Sequence, residues 1–158
     1  HLNQLIQYAK AHEIKGRWSA FETAIQKMGG WASATRVADS AVYWYLVFMQ
    51  KERIPEAEEG LLEDPKIAAR YAQAFKFVWP EMEERILELF SNHRGTNYGQ
   101  QAGSAILDYL KSTPRNGNWP EFRQLLTPDG SGSNEDINLM NLQRLYDRNL
   151  QKGRSDVG

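Results

Sequence analysis

The chain contains no cysteine and few histidines, and these two shortages exclude several kinds of chemistry. Without cysteine there are no disulfides, no thiol catalysis and no thiolate-bound metal. The three histidines (His1, His12 and His93) stand far apart in the sequence. A histidine-based metal site would therefore need carboxylates brought to it by the fold. We predict that the chain carries no cofactor and no metal.

The chain also lacks a long apolar run and a large excess of charge of one sign. Its longest apolar run, from Ala41 to Met49, is much shorter than the roughly 20 residues that a membrane-spanning helix needs. The formal net charge of −1 argues against a strongly basic nucleic-acid-binding protein and against a polybasic membrane-surface protein. No signal peptide is visible. We therefore expect a cytoplasmic protein with no membrane partner.

What the chain does have is the composition of a helical globular domain. Apolar residues make up 41% of it and charged residues 25%, and five tryptophans favour a folded core. Apolar residues recur at helical spacing, as in Phe21, Ala24 and Ile25. A strand over Val42 to Phe48 is the rival interpretation, because β-branched and aromatic residues favour strands, but helical patterns on both sides favour a helix. We predict an all-α fold, either a helical hairpin array or an irregular multi-helix bundle of about eight to nine helices.

The distribution of glycine, serine and apolar residues predicts how the chain is organised. A Gly- and Ser-rich stretch breaks the helical pattern late in the chain, and Asn134 behind it is suited to cap a final helix. That helix has Ile137, Met140 and Leu145 among its apolar positions. The predicted parts are a hairpin core over 1–126, a flexible loop over 127–133, a C-terminal helix packed on the core over 134–151, and a frayed tail over 152–158.

Four segments share one pattern. A tyrosine is followed eight to ten residues later by Trp or Ile, which is followed by apolar residues at +3 and +7. In the last three segments, Pro and Glu come directly after the Trp or Ile. Proline stops the preceding helix and starts the next one, and the glutamate complements the helix dipole. The pattern predicts helical hairpin units, although four ordinary hairpins with similar caps would also produce it. The four sets are Tyr8, Trp18, Phe21, Ile25; Tyr45, Ile54, Ala57, Leu61; Tyr71, Trp79, Met82, Ile86; and Tyr109, Trp119, Phe122, Leu126.

The stretch from Asp64 to Glu83 carries the pattern most fully, with Asp64-Pro65, Ala68, Ala69, Tyr71-Ala72 and Pro80-Glu81-Met82-Glu83. In these residues it resembles the short helical repeats found in proteins of phages and large viruses. Pro55-Glu56 with Glu58 fits the same pattern, and the rest of the chain matches loosely. The resemblance implies a helical array and a viral origin. It carries over no catalytic residue, because that family has no single well-defined activity.

The densest polar stretch, residues 91–101, lies between two predicted helices and is the leading candidate for a binding site. Its donors, acceptors, imidazole and guanidinium are suited to hold a phosphate, a peptide or a base. The alternative is a solvated connection with Gly95 as a helix cap. We predict no catalytic residue, since His93 would need a positioned partner to act as a base. The candidate binding residues are His93, Arg94, Asn97, Tyr98, Gln101 and, if the neighbouring polar loop adjoins this one, Arg115.

Two charged clusters offer further candidates. The acidic one comprises Glu56, Glu58, Glu59, Glu63, Asp64, Glu81, Glu83 and Glu84. Such carboxylates do acid–base work or bind cations in some proteins, but here they sit at helix starts, where capping explains them. The basic cluster comprises Lys10, Lys15 and Arg17 beside Trp18. Cations next to an aromatic ring are typical of single-strand nucleic-acid binding, whereas the repeat pattern places Trp18 in a buried corner.

These observations favour a non-enzymatic α-helical interaction module, such as a scaffold, an adaptor or a self-assembling subunit. Stacked hairpins form grooves that bind helices or peptides, so the expected partner is a protein or peptide, a second copy of the chain included. The first alternative is a nucleoprotein-like domain that binds nucleic acid, which the net charge makes a weaker candidate. The second alternative is an enzyme in which the fold brings His93 and a glutamate together as acid and base.

Overall fold

The computed structural model describes the backbone of residues 1–157 and the side chains of residues 1–153. This part of the chain contains nine α-helices and no strand, which confirms the predicted all-α fold. The stretch from Val42 to Phe48 is helical. The helices are α1 (Leu2–Ala11), α2 (Ser19–Lys27), α3 (Trp31–Phe48), α4 (Pro55–Leu61), α5 (Pro65–Phe75), α6 (Pro80–Asn92), α7 (Asn97–Ser112), α8 (Pro120–Gln124) and α9 (Asn134–Val157).

Three helices begin at the prolines that the repeat pattern pointed to. Helices α4, α6 and α8 start at Pro55, Pro80 and Pro120. The residues before Pro55 and Pro80 are extended, with φ of −112° at Ile54 and −127° at Trp79, because proline disfavours helical geometry in its predecessor. Trp18 has a similar φ of −129°, although serine follows it. The turn before α2 therefore reaches the same geometry without proline.

The chain divides into two compact units, His1–Tyr71 and Ala72–Gly158, with the division inside α5. The predicted hairpin core over 1–126 thus spans the first unit and much of the second. The first unit contains α1 to α4 and the start of α5. The second contains the end of α5 and α6 to α9. Each unit buries its own apolar residues, among them Ile6, Phe21, Ile25, Val42, Leu46 and Leu61 in the first and Met82, Ile86, Phe90, Ile106, Leu110 and Phe122 in the second.

Two features shape the first unit around α3. The helix is kinked at Ala38, where φ is −143° and ψ is 56°. Its first turn packs closely on Gly60 of α4. A Cβ atom on Gly60 would lie 2.6 Å from the Cβ of Trp31, closer than real Cβ contacts come. Glycine at this position therefore lets the two helices approach each other closely.

The second unit differs from the sequence prediction within residues 91–101, because α7 begins at Asn97, inside the polar stretch that was placed between two helices. The reason is the helix cap formed by Thr96. Its hydroxyl oxygen accepts the N–H of Gly99 at 3.1 Å, and the hydroxyl donates to the carbonyl of His93 at 2.6 Å. The candidate polar stretch is therefore a short connection followed by the first turn of a helix.

The final helix buries apolar residues other than the three named in the sequence. Leu139, Leu142 and Tyr146 are buried on it. The apolar positions singled out in the sequence are more exposed, at 50% for Ile137, 40% for Met140 and 38% for Leu145. The backbone stays helical to Val157, beyond the predicted end at 151 and into the predicted tail over 152–158. Gly158, the last residue of that predicted tail, lies outside the described residues.

The predicted flexible loop over 127–133 is organised around one carboxylate. Asp136, in the first turn of α9, accepts the backbone N–H of Asp129 at 3.0 Å and that of Gly132 at 3.1 Å. The hydroxyl of Ser131 donates to the same side chain at 3.3 Å. These bonds fold the loop back onto the start of the helix.

Candidate binding site

One hydrogen bond recurs at four turns between helices. At each turn, the backbone N–H of a Trp or Ile just before a helix donates to the hydroxyl of a tyrosine from the following hairpin. We call this arrangement the tyrosine clasp. It satisfies an amide that the start of a helix otherwise leaves without a partner. The four clasps join Trp18 to Tyr45 at 2.8 Å, Ile54 to Tyr71 at 2.9 Å, Trp79 to Tyr109 at 3.0 Å and Trp119 to Tyr146 at 2.8 Å.

In three clasps, the tyrosine hydroxyl also donates to a glutamate one turn into the new helix. Tyr45 bonds to Glu22, Tyr71 to Glu58 at 2.7 Å, and Tyr109 to Glu83 at 2.5 Å. An arginine pairs with each glutamate: Arg17 with Glu22 at 2.6 Å, Arg53 with Glu58 at 2.8 Å, and Arg115 with Glu83 at 2.5 Å. These three carboxylates therefore have a structural role.

The fourth clasp exchanges the charges. Arg123 stands where the others have glutamate, and it pairs with Asp147, the residue after the clasp tyrosine, at 3.0 Å. The hydroxyl of Tyr146 donates to the side-chain oxygen of Asn118 at 3.3 Å instead of to a carboxylate. The amide bond is thus common to all four turns, while its electrostatic support differs.

The clasps shift the pKa values of their members in opposite directions. The hydrogen bond from Arg17 holds the pKa of Glu22 below its usual value. Burial acts to raise the pKa of Glu58, but the hydrogen bonds from Arg53 and Tyr71 outweigh burial and lower it. Burial also raises the pKa of Tyr45 and of Tyr71. Carboxylates held ionised in this way are poorly suited to act as general acids near neutral pH.

Of the six candidate binding residues, the two arginines hold the fold together. The Nε of Arg94 donates to the carbonyl of Leu125 at 2.6 Å, and another guanidinium nitrogen donates to the carbonyl of Thr127. Arg115 forms a two-pronged bond with Glu83, at 2.9 Å and 2.5 Å. Polar density along the sequence indicated these residues correctly as hydrogen-bonding groups but did not show that their partners lie within the chain.

The other four candidates lie at the connection before α7 and on its first turns. The imidazole of His93 is half-buried and meets the ring of Tyr98 edge-on, with the ring centroids 4.7 Å apart. Asn97, Tyr98 and Gln101 are exposed. The contact that His93 makes with Thr96 is through its backbone carbonyl. The structure thus places His93 against an aromatic ring.

A cavity of about 780 Å³ opens in the first unit, between the α1–α2 loop and the α3–α4 loop. We call it the loop cavity. Two of its lining residues, Lys15 and Arg17, belong to the basic cluster identified in the sequence. The full lining is Lys15, Gly16, Arg17, Phe48, Met49, Gln50, Lys51, Glu52, Arg53 and Ile54.

Hydrogen bonds between the two loops fix the base of the loop cavity. The N–H of Gly16 donates to the carbonyl of Met49 at 2.7 Å. The side-chain amide of Gln50, only 9% exposed, donates to the carbonyl of Gly16 at 3.0 Å and to that of Tyr45 at 3.3 Å. Gly16 has a φ of +80°, a conformation that favours glycine. The loop cavity is therefore preformed.

The charges around the loop cavity fall into two groups. The two arginines are engaged, since Arg17 pairs with Glu22 and Glu56, both at 2.6 Å, and Arg53 pairs with Glu58. The two lysines, Lys15 and Lys51, have no carboxylate within ion-pair distance in the part of the chain that the structure describes. The loop cavity thus has two cations that remain available to an anionic partner.

Aromatic rings border the loop cavity. Phe48, at the end of α3, is 55% exposed, and the ring of Trp44 lies 5.9 Å from it. The ammonium groups of Lys10 and Lys15 stand over Trp44, at 5.0 Å and 6.0 Å from the ring centroid. Trp18, which the sequence analysis grouped with these lysines, belongs to a clasp instead.

The described residues contain no group of three or more histidine, aspartate or glutamate side chains placed to hold a metal ion. None of the helices within residues 1–157 combines the length and the apolar character needed to cross a membrane. Comparison with family models, with curated proteins and with solved structures finds no significant match to this chain.

Proposed function

We propose that the chain is a non-enzymatic α-helical interaction module, of the scaffold, adaptor or self-assembling kind, and that it binds a protein partner in the loop cavity. The observation that carries this proposal is the combination found there. The base is fixed by hydrogen bonds, Phe48 is half-exposed, and Lys15 and Lys51 lack carboxylate partners. A preformed concavity with an apolar contact and a few polar groups is the usual form of a binding site.

The chemistry of the charged groups supports binding over catalysis. The clasp carboxylates Glu22 and Glu58 are tied to arginine and tyrosine, and both have lowered pKa values. Lysine and phenylalanine in the loop cavity recognise charge and apolar surface without transferring protons. The resemblance to helical repeats of phages and large viruses agrees with this role, since it carries over no catalytic residue.

A crosslinking experiment tests the proposal. A photoreactive phenylalanine analogue at position 48 should crosslink to a protein partner, or to a second copy, in cells that express the chain. The same analogue at Val37 is the control, because Val37 lies on the same helix and is 76% exposed. Sedimentation velocity at rising concentration measures self-association independently. If position 48 gives no protein crosslink beyond that seen at position 37 and the chain does not self-associate, the proposal fails.

Nucleic-acid binding is the second candidate, and one observation favours it. The ammonium groups of Lys10 and Lys15 stand near the ring of Trp44, and an aromatic ring beside cations is typical of sites that stack a base and contact its phosphate. With Lys51 as the third cation, the logarithm of the binding constant for a single strand should fall with the logarithm of salt concentration with a slope of about −2. Labelled single-stranded DNA and RNA titrated at several salt concentrations provide the test. Absent or salt-insensitive binding contradicts this candidate.

A further inference from the structure

We infer that the loop cavity binds a linear peptide segment in which carboxylates lie on both sides of one aromatic or branched aliphatic side chain. This inference rests on the proposed interaction function and names the chemistry of the partner. It is carried by the lining of the loop cavity, in which one half-exposed aromatic ring stands among lysines of two different loops.

The apolar part of the partner is indicated by Phe48. Its ring is 55% exposed, while the neighbouring lining residues Met49 and Ile54 are buried at 3% and 2%. A partner side chain packed on Phe48 would remove that apolar surface from water, which is the main favourable term in most protein association. Large apolar anchors of this kind carry much of the binding energy at protein interfaces.

The acidic part of the partner is indicated by Lys15 and Lys51. One lies in each loop, and neither has an ion-pair partner among the described residues. Arg17 and Arg53 differ, because each is bound to glutamates of the chain itself and secures the loop ends. Two lysines in separate loops suit two carboxylates separated by an intervening side chain.

The chain's own carboxylates favour a peptide over a nucleic acid. Glu52 lines the loop cavity. The two arginines of the lining form ion pairs with Glu22, Glu56 and Glu58. A nucleic-acid strand brings a negative charge with every nucleotide, whereas the lining offers only two lysines that are not already paired, beside the carboxylate of Glu52. A peptide can place its carboxylates at the lysines and an uncharged side chain between them.

The size of the loop cavity is consistent with a short segment. Its volume of about 780 Å³ lies within the range of roughly 300–1,000 Å³ that is typical of ligand sites. Such a space holds a few side chains of an extended segment. A folded partner would therefore reach the loop cavity with a protruding segment.

Fluorescence polarisation with synthetic peptides tests the inference on the full chain. The probe is a labelled peptide with glutamates on both sides of a single phenylalanine. We expect saturable binding that weakens as salt is added. Replacing the glutamates by lysine, or the phenylalanine by alanine, should weaken binding about tenfold or more. Equal binding of all three peptides would overturn the inference.

Variants of the chain connect the binding to the loop cavity. Phe48→Ala and Lys51→Glu should each weaken binding of the glutamate–phenylalanine peptide about tenfold. Both positions are exposed, so the fold should be retained, as circular dichroism will show. Val37→Ala and Lys27→Glu are the matched controls, exposed outside the loop cavity, and should bind as the wild type does. Loss of binding in the controls alone would contradict the assigned site.

The outcomes separate this inference from the proposed function. If the partner segment crosslinked at position 48 contains no carboxylates, the acidic-peptide inference is overturned and the interaction module stands. If single-stranded DNA binds the loop cavity and the peptide does not, the inference is overturned in favour of nucleic acid. If no protein is crosslinked there and the chain does not self-associate, both proposals fail.

Discussion

Removing one hydroxyl group from a clasp should destabilise the second unit measurably. Tyr109 is fully buried, accepts the N–H of Trp79 at 3.0 Å and donates to Glu83 at 2.5 Å. In Tyr109→Phe the ring and its packing are kept, so the change removes two hydrogen bonds and little else. The substitution therefore measures the contribution of the clasp directly.

The size of the effect follows from the groups left behind. The amide of Trp79 loses its acceptor in a buried turn, which costs about 1–3 kcal/mol. Glu83 loses one donor but keeps Arg115 at 2.9 Å and 2.5 Å, so the carboxylate still has a partner. We expect the free energy of unfolding to fall by about 2–4 kcal/mol in total.

A second clasp supplies an internal comparison. The hydroxyl of Tyr146 accepts the N–H of Trp119, but it donates at 3.3 Å to the uncharged side chain of Asn118. Hydrogen bonds to charged groups are stronger than those between neutral groups. Tyr146→Phe should therefore cost less than Tyr109→Phe. The reverse order would show that the carboxylate adds nothing to the clasp.

Two measurements check these expectations. Denaturant unfolding gives the change in stability, and amide hydrogen exchange reports the opening of the Trp79 turn itself. Tyr8→Phe is the control, because Tyr8 is 54% exposed and takes part in no clasp, and its stability should stay within about 0.5 kcal/mol of the wild type. If Tyr109→Phe also stays within that range and the Trp79 amide remains equally protected, the reasoning is refuted.

Three further substitutions test other features of the structure. Gly60→Ala places a Cβ atom 2.6 Å from that of Trp31 and should cost about 1–3 kcal/mol, measured by thermal unfolding; an unchanged melting temperature would contradict the close approach. Burial, together with the hydrogen bond to Asp39, raises the pKa of Asp64, so wild-type stability should fall as pH rises from the ordinary carboxyl pKa through the raised one. Asp64→Asn should flatten that dependence in denaturant melts over a pH series, and parallel curves for the two proteins would argue against it. Arg94→Ala removes donors to two loop carbonyls and should speed limited proteolysis within 127–133; cleavage at the wild-type rate would show that the arginine does not secure this loop.

Local rules explain which parts of the fold could be predicted. Proline restricts the residue before it and suits the first turn of a helix, and both effects act between neighbours in the sequence. The starts at Pro55, Pro80 and Pro120 were therefore predictable. The start of α7 was missed, because its cap depends on a single threonine hydroxyl within a stretch whose polarity indicated a loop.

The clasp itself could not be predicted from spacing. The repeat pattern in the sequence pairs each tyrosine with the turn that follows it, as in Tyr8 and Trp18. In the structure, the hydroxyl reaches the turn before it, across 17 to 30 residues of sequence. Tyr146 was overlooked for the same reason, since no Trp or Ile follows it at the repeat spacing. The residue types were visible, but their pairing depends on tertiary structure.

In the candidate site, too, local properties could be predicted from the sequence, and properties that depend on tertiary structure could not. Lys15 and Arg17 were identified by their charge, which is a local property. Phe48 was predicted only as part of a helix within the longest apolar run, and only the fold shows that this end of the run is exposed. Arg94 was read as a binding residue, but its partners are carbonyls more than 30 residues away.

The clasps imply that the turns are completed in order, from the N-terminus onwards, as the chain is synthesised. Each turn leaves the ribosome before the tyrosine that will bond to its amide, so a hairpin is completed only when the next hairpin has been made. Until Tyr45 emerges, the amide of Trp18 has only water as a partner, and Trp119 must wait for Tyr146. A stalled or shortened chain would therefore expose its most recent turn, while every earlier turn would already be closed.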